Sequence, residues 1–263
     1  NGFPGHTVTL HEGLKASIAP DKYIYNNKVC DHTQESSLDI NAMLDIVRDA
    51  EVVIFAGGIS PRLEGEEMPV EVPGFRGGDR ESIELPQVQR LALKALKEAG
   101  KRVVLVNFSG SAVGLVPESE NCDAILQAWY PGQAGGTAIA DVLTGRYNPA
   151  GRLPVTFYKD VSQLPDFQDY SMKGRTYRYF QDTPLYPFGH GLSYTTFRYG
   201  KAKADAKKLP AGHTLTLSIP LKNSGKMDGE EVVQVYIRRL ADTDGPIKSL
   251  RAFKRVAFFF RFG

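Results

Sequence analysis

Cysteine and tryptophan are nearly missing from this chain: Cys30 and Cys122 are its only thiols and Trp129 its only indole in 263 residues. With no CxxC and no Cys/His spacing, two cysteines exclude a disulfide-stapled scaffold and a zinc module. Two buried thiols are a better reading than one disulfide. His6, His11, His32, His190 and His213 are scattered without an HxH or HxxxH pair, so no metal motif is present. No apolar run reaches the roughly 18 residues of a membrane-spanning helix. Charge of one sign is also lacking: 32 Lys and Arg stand against 30 Asp and Glu, a formal net charge of +2, with no basic block or stripe. Nucleic acid and anionic membrane are therefore not expected partners; the ligand should be small or neutral. Neither GxGxxG nor GxxxxGK[ST] occurs, and no cofactor is predicted; Gly57-Gly58 is a weak hint of a phosphate cradle. Asn1-Gly2-Phe3-Pro4 has no charged-then-apolar leader, which predicts a cytosolic chain, a processed one, or a piece of something longer.

What is present is ordinary globular material, 42% apolar and 24% charged, long enough for one large domain or two. Leu38, Met43, Leu44 and Val47 recur at helical spacing, and residues 52–56 read as a buried parallel strand. Residues 84–99 predict a helix, with Pro86 in its first turn, Val88, Leu91, Ala95 and Ala99 on one face, and Gly100 just past its end. Residues 103–106 and 124–126 are further apolar strands, and Ala138, Ile139, Val142 and Leu143 mark a helix stopped near Gly145. Strands alternating with helices predict an α/β unit with parallel pairing over residues 1–157.

Between the first strand and the helix at 84 lies a loop too long to be a plain connection, ISPRLEGEEMPVEVPGFRGGDR at 59–80. Ligands of open α/β sheets bind beyond the carboxyl ends of strands, where this loop begins. Glu64, Glu66 and Glu67 make it a candidate acid/base site, against the plainer reading of a solvated acidic stretch. Its glycines, prolines and few apolar anchors predict a segment whose ordering entropy is not offset by burial, so that it is mobile unless another domain docks on it.

Past Pro154 the pattern changes. Residues 158–193 form an irregular connector with Tyr170, Tyr177, Tyr179 and Tyr186, read with Tyr194 as packing between domains rather than as sugar-stacking platforms. Residues 214–219 and 232–237 then read as strands, with turn signals at Asn223-Ser224-Gly225 and Asp228-Gly229, so 194–263 is predicted to be an all-β module.

Three ordered motifs carry a resemblance: Leu126-Gln127-Ala128-Trp129-Tyr130-Pro131-Gly132-Gln133-Ala134-Gly135-Gly136 running on to Phe157, then Gly174-Arg175-Thr176-Tyr177-Arg178-Tyr179-Phe180, then Tyr186-Pro187-Phe188-Gly189-His190-Gly191-Leu192-Ser193-Tyr194. Together they resemble the C-terminal portion of family 3 glycoside hydrolases. The resemblance implies a flavodoxin-like α/β sandwich with a mostly parallel sheet, followed by an incomplete fibronectin type III-like sandwich. It implies a retaining exo-acting β-glycosidase, a β-xylosidase or β-glucosidase, acting on oligosaccharides or aryl glycosides. In that family the nucleophile is an aspartate on an N-terminal (β/α)8 barrel, a second expected partner, and the general acid/base is a glutamate on the loop matching 59–80. Glu64-Gly65-Glu66-Glu67, with Asp79-Arg80 and Leu85-Pro86 further on, puts Glu66 first at that position. Glu67 stands where the family has glycine and residues 68–78 intervene, so Glu64 and Glu67 are alternatives. Crowding by its neighbours would raise the pKa of Glu66, as an acid catalyst needs. Asp79-Arg80 is expected to be a structural ion pair or loop anchor. The competing reading is a non-catalytic carbohydrate-binding or scaffold module; a flavodoxin-like nucleotide binder is disfavoured. The chain is expected to be a fragment, inactive alone, of a periplasmic or extracellular parent. Its terminal aromatic strand predicts self-association as a homo-oligomer through the β module.

Overall fold

In the computed structural model, residues 4–65 and 68–259 are described. Helix α1 (Leu10–Lys15) opens the fold with a capping box in which Thr9 and Glu12 exchange hydrogen bonds. Next come α2 (Ile40–Ile46) and β1 (Val52–Gly58), then three two-residue strands, β2 (Glu71–Val72), β3 (Phe75–Arg76) and β4 (Asp79–Arg80). Helix α3 (Gln87–Glu98), β5 (Arg102–Phe108), α4 (Val116–Asn121), β6 (Ala124–Gln127) and α5 (Gly135–Leu143) complete the α/β part. The central sheet is parallel in the order β1-β5-β6, with Val53 opposite Val103 and Leu105 opposite Ile125. In β5 successive residues point to opposite faces, yet Val103, Leu105, Val106 and Asn107 are all buried, so both faces of this central strand are covered.

Helix α3 buries Val88, Ala92, Leu93 and Leu96 against the sheet. It begins three residues later than predicted, at Gln87, because Pro86 is extended (φ −52°, ψ 138°) and caps the helix instead of entering it. Its end follows the expectation. Gly100 takes φ 75°, its N–H donates to Lys97 O (2.9 Å), and Lys101 N–H donates to Leu96 O (3.1 Å). The Gly57-Gly58 pair offers no phosphate cradle at its second glycine, since Gln89 Oε1 takes the Gly58 N–H at 2.7 Å.

Inside this core lies one carboxylate, Glu118 on α4, with 1% of its side chain exposed. Arg90 of α3 faces it, with Nε 3.2 Å from Glu118 Oε1, while its Nη2 donates to Gly114 O (3.1 Å) and its Nη1 approaches Glu84 Oε1 at 3.3 Å. Both cysteines are free thiols. Burial, then Glu118 and Asp123, push the Cys122 thiol up to about 12, and burial raises Cys30 as well. Because the thiolate is the reactive form, Cys122 should resist Ellman's reagent at pH 7.5 until the protein is unfolded. Rapid modification of both thiols in the native protein would contradict this.

Residues 158–193 hold a short 3₁₀ turn at Val161–Gln163 and one α-helical turn, α6 (Thr176–Tyr179). Tyrosine packing holds there in part. Tyr177 stacks on Phe188 (4.2 Å between ring centres) and accepts the Leu250 N–H (3.1 Å), and Tyr194 donates to Val142 O (2.9 Å). Tyr170 does not fit the expectation, being 90% exposed. After the connector come β7 (Phe197–Tyr199), β8 (Lys203–Ala204), β9 (Leu217–Ser218), β10 (Leu221–Asn223), β11 (Gly229–Ile237) and β12 (Ser249–Phe258). All pair antiparallel in twos: β7 with β10, β8 with β9, β11 with β12. The strand predicted at 214–219 shrinks to Leu217–Ser218, since Leu215 and Leu217 stay exposed and burial does not reward extending the ladder. The β ribbon is joined to the α/β part by Arg152, which reaches Glu231 at 2.5 Å while Tyr199 donates to the other oxygen of Glu231 at 2.7 Å.

Candidate active site

Three loops meet at the carboxyl ends of β1, β5 and β6, the position where open α/β sheets hold ligands. On leaving β1 the chain stays beside β5, because Ile59 N–H donates to Phe108 O (2.8 Å). A turn follows, in which the Leu63 and Glu64 amides both donate to Ser60 O at 2.9 and 3.1 Å. This turn sends the Glu64 side chain back over the end of β5. There Oε2 accepts the Gly110 N–H at 2.9 Å and the Tyr130 hydroxyl, and Oε1 accepts the Ser111 hydroxyl. Position 110 has to be glycine, as a Cβ would stand 2.8 Å from the Tyr130 ring and 3.0 Å from Glu64 Oε2. Tyr130 reaches the carboxylate because Trp129 turns the chain in the left-handed region at φ 57°, which costs a non-glycine residue about 1–3 kcal/mol. The Trp129 ring packs edge-on to Phe157 with centres 6.0 Å apart. Below them Asn107 donates to Gln127 (2.6 Å), Gln127 to Ser109 (2.9 Å) and Ser109 to Ser111 O (2.8 Å), so the strand ends are cross-tied.

The far end of the acidic loop returns to the same spot. Arg80 Nη1 donates to Ser111 Oγ (2.9 Å) and Ala112 O (3.0 Å), and its Nε to Ser82 O (3.1 Å). The expected anchor is therefore Arg80, with Ser111 and backbone carbonyls as partners; among the described residues of the loop the ion pair is Arg76–Glu81 at 2.7 Å, not Asp79 with Arg80. Burial lowers the basicity of Arg80, and nearby Glu64 opposes that. Burial and the bond to Glu64 push the Tyr130 phenol well above its usual value, which keeps it a hydrogen-bond donor.

Of the three candidate glutamates, Glu64 is the one described; Glu66, the first candidate, and Glu67 lie outside the described residues. The loop is more regular than its composition predicts. Strands β2, β3 and β4 form an antiparallel meander, closed by Gly77 N–H to Val70 O (2.8 Å), and Phe75 is buried. That single aromatic supplies the apolar anchor that the proline and glycine count concealed. Residues 80–83 and 161–167 flank a cleft of about 330 Å³, with Phe167 88% exposed on its rim. Its polar lining is already engaged: Arg80 as above, Ser82 with Glu84 (3.1 Å), and Arg175 with the carbonyls of Asp169 (2.5 Å) and Asp166 (3.1 Å). Sequence reasoning missed Gly110, Ser111 and Tyr130 as parts of this site. Their place directly after apolar strands was the available signal.

Among the described residues no group of three His, Cys, Asp or Glu side chains is placed to hold a metal ion, and no helix is long and apolar enough to cross a membrane. Residues 2–194 match the Glycosyl hydrolase family 3 C-terminal domain. The chain belongs to glycoside hydrolase family 3. Within this family it is 60% identical to a xylan 1,4-β-xylosidase of Xylanibacter ruminicola over 86% of this chain and 26% of that protein. It is 36% identical to a periplasmic β-glucosidase of Salmonella typhimurium, over 82% of this chain and 29% of that one. Among solved structures, a β-glucosidase from Erythrobacter marinus matches 96% of this chain and 36% of its own, with TM-score 0.77 and 33% identity. A β-glucosidase from Listeria innocua in complex with isofagomine matches 95% of this chain and 35% of its own, with TM-score 0.75 and 28% identity. The chain thus spans about a quarter to a third of the length of these relatives. The mixed α/β fold with a parallel sheet and added antiparallel strands is that of these family 3 structures.

Proposed function

We propose that this chain is the acid/base-bearing part of a retaining, exo-acting β-glycosidase, with a β-xyloside as first substrate and a β-glucoside as second. The observation that carries the reading is the convergence, at the carboxyl ends of β1, β5 and β6, of a glutamate-rich loop tied down at both ends. The name and 60% identity of the Xylanibacter ruminicola relative favour xylose over glucose. Retention requires two carboxyl groups about 5–5.5 Å apart, one to attack the anomeric carbon and one to exchange a proton with the leaving oxygen and then with water. This chain supplies the second, and Glu66 is its first candidate. The nucleophile belongs to the (β/α)8 barrel of the same parent, and the parent is periplasmic or extracellular, as the name of the Salmonella relative suggests.

Assaying the full-length parent and the isolated chain on 4-nitrophenyl β-xyloside and β-glucoside tests this. Turnover by the parent and none by the chain is expected, since a proton donor without its nucleophile has no covalent route. Turnover by neither, with the chain retaining xylo-oligosaccharides on a column, would make it a non-catalytic binding module instead.

Self-association through the β module is also proposed. Ribbon β11–β12 pairs only with itself among the described residues, and Phe253 and Phe259 are 70% and 78% exposed. Light scattering of the chain should show a mass that rises with concentration and falls when residues 254–263 are removed. A monomer near 29 kDa at every concentration would refute it.

A further inference from the structure

Glu64 was weighed as a proton donor, but its surroundings suit a different task. Among the described residues its three hydrogen-bond partners all donate: the Gly110 amide, the Ser111 hydroxyl and the Tyr130 hydroxyl. A general acid must carry a proton through part of each cycle, and a proton on Glu64 would oblige the Ser111 or the Tyr130 hydroxyl to turn from donor to acceptor, where Ser111 already accepts from Arg80. Ser111 is shared, since its hydroxyl donates to Glu64 and accepts from Arg80 Nη1 at 2.9 Å. The two ends of the acidic loop, Glu64 and Arg80, therefore close on one serine.

We propose that Glu64, Ser111 and Arg80 form a clasp, completed by Tyr130, whose function is to fix the reach of the proton-exchanging glutamate between its two ends. Glu64 is a positioning residue in this scheme, and the inference rests on the acid/base reading given above. Three features of the fold are spent on the clasp. Gly110 lacks the Cβ that would push Glu64 and Tyr130 off the backbone. Trp129 holds a strained φ of 57° that delivers Tyr130. Phe75, buried in the meander, stiffens the span between the ends. Charge-assisted bonds to a carboxylate are the strong kind, so one residue holds three chain segments that no helix or sheet ladder joins at this point.

The test has two arms. In the isolated chain, Glu64→Gln places an amide N–H₂ among three donors; hydrogen exchange across residues 63–80 should accelerate, and the emission of the sole tryptophan, Trp129, should shift. In the full-length parent, Glu64→Gln and Ser111→Ala should lower kcat about 10- to 100-fold with KM nearly unchanged, the range expected when a reacting group is misplaced by about 1 Å. The loss should fall more on poor than on good leaving groups, as for a displaced proton donor, yet stay weaker than that of Glu66→Gln, keep the positions of the pH-profile limbs, and resist rescue by azide. Tyr130→Phe, which keeps the ring and removes one donor, should show a smaller loss of the same kind. Azide rescue of Glu64→Ala to a xylosyl azide of retained configuration would make Glu64 the acid/base and overturn the clasp. Wild-type kcat in all three variants would overturn it as well. Should Glu66→Ala and Glu67→Ala both keep full activity and Glu64→Ala resist azide rescue, the acid/base reading fails, while the exchange and fluorescence arm still decides whether the clasp exists.

Discussion

Glu66→Gln in the full-length parent is expected to slow hydrolysis of xylobiose by about 10²–10⁴-fold, the usual contribution of a positioned general acid. The loss should depend on the leaving group. An aryl xyloside whose phenol departs without a proton needs no acid in the first step, so its covalent intermediate should form at near-normal rate and accumulate as a burst. The second step still lacks its base, and this is where a small anion can substitute. Azide should restore turnover of Glu66→Ala and give a xylosyl azide of retained configuration, because it attacks the intermediate without deprotonation. Glu67→Gln should stay within a few-fold of wild type. If Glu67 variants show the leaving-group dependence and azide rescue while Glu66 variants do not, the role moves one residue along. On the clasp proposed above Glu64 is not a third choice, because among the described residues Gly110, Ser111 and Tyr130 all donate to its carboxylate; azide rescue of Glu64→Ala would return the role to it.

Much of the α/β part was legible in the sequence because its signals are local. Continuous apolar runs at 52–56 and 103–106 lie in β1 and β5, and Gly100 terminates α3 by its positive φ. The β module was less legible, since alternation at 214–219 looks the same whether or not a facing sheet exists to bury one side, and only Leu217–Ser218 pairs. Within the candidate site, the family motifs pointed to the loop at 59–80, yet its order was hidden. Arg80 sits beside Asp79 in sequence but bonds 31 residues away to Ser111, and Tyr130 meets Glu64 across 66 residues. Neither separation leaves a periodic trace. The buried Glu118 was unreadable for a related reason: in PESEN at 117–121 it looks like surface, and only its position opposite Arg90 takes it into the core.

That pair should show the largest stability effect in the chain. Arg90→Met keeps a long apolar stem in place and removes the one cation in contact with a carboxylate that is 1% exposed. Breaking a buried pair from one side costs about 3–5 kcal/mol, whereas replacing both partners with apolar residues is often neutral or better. The Tm of Arg90→Met should therefore fall by roughly 6–20 °C, and adding Glu118→Leu should recover most of it. The pH dependence carries the sign. Burial holds the Glu118 carboxyl above its unfolded value of 4.5 and Arg90 pulls it back down, so without Arg90 the folded value rises further. A folded pKa above the unfolded one means stability is retained below 4.5 and lost as pH climbs through the folded value. The deficit of Arg90→Met against wild type should thus be small at pH 4 and widen steadily toward pH 7. A deficit of equal size at both pH values would assign the loss to Arg90's bonds with Gly114 O and Glu84 instead of to the stranded charge.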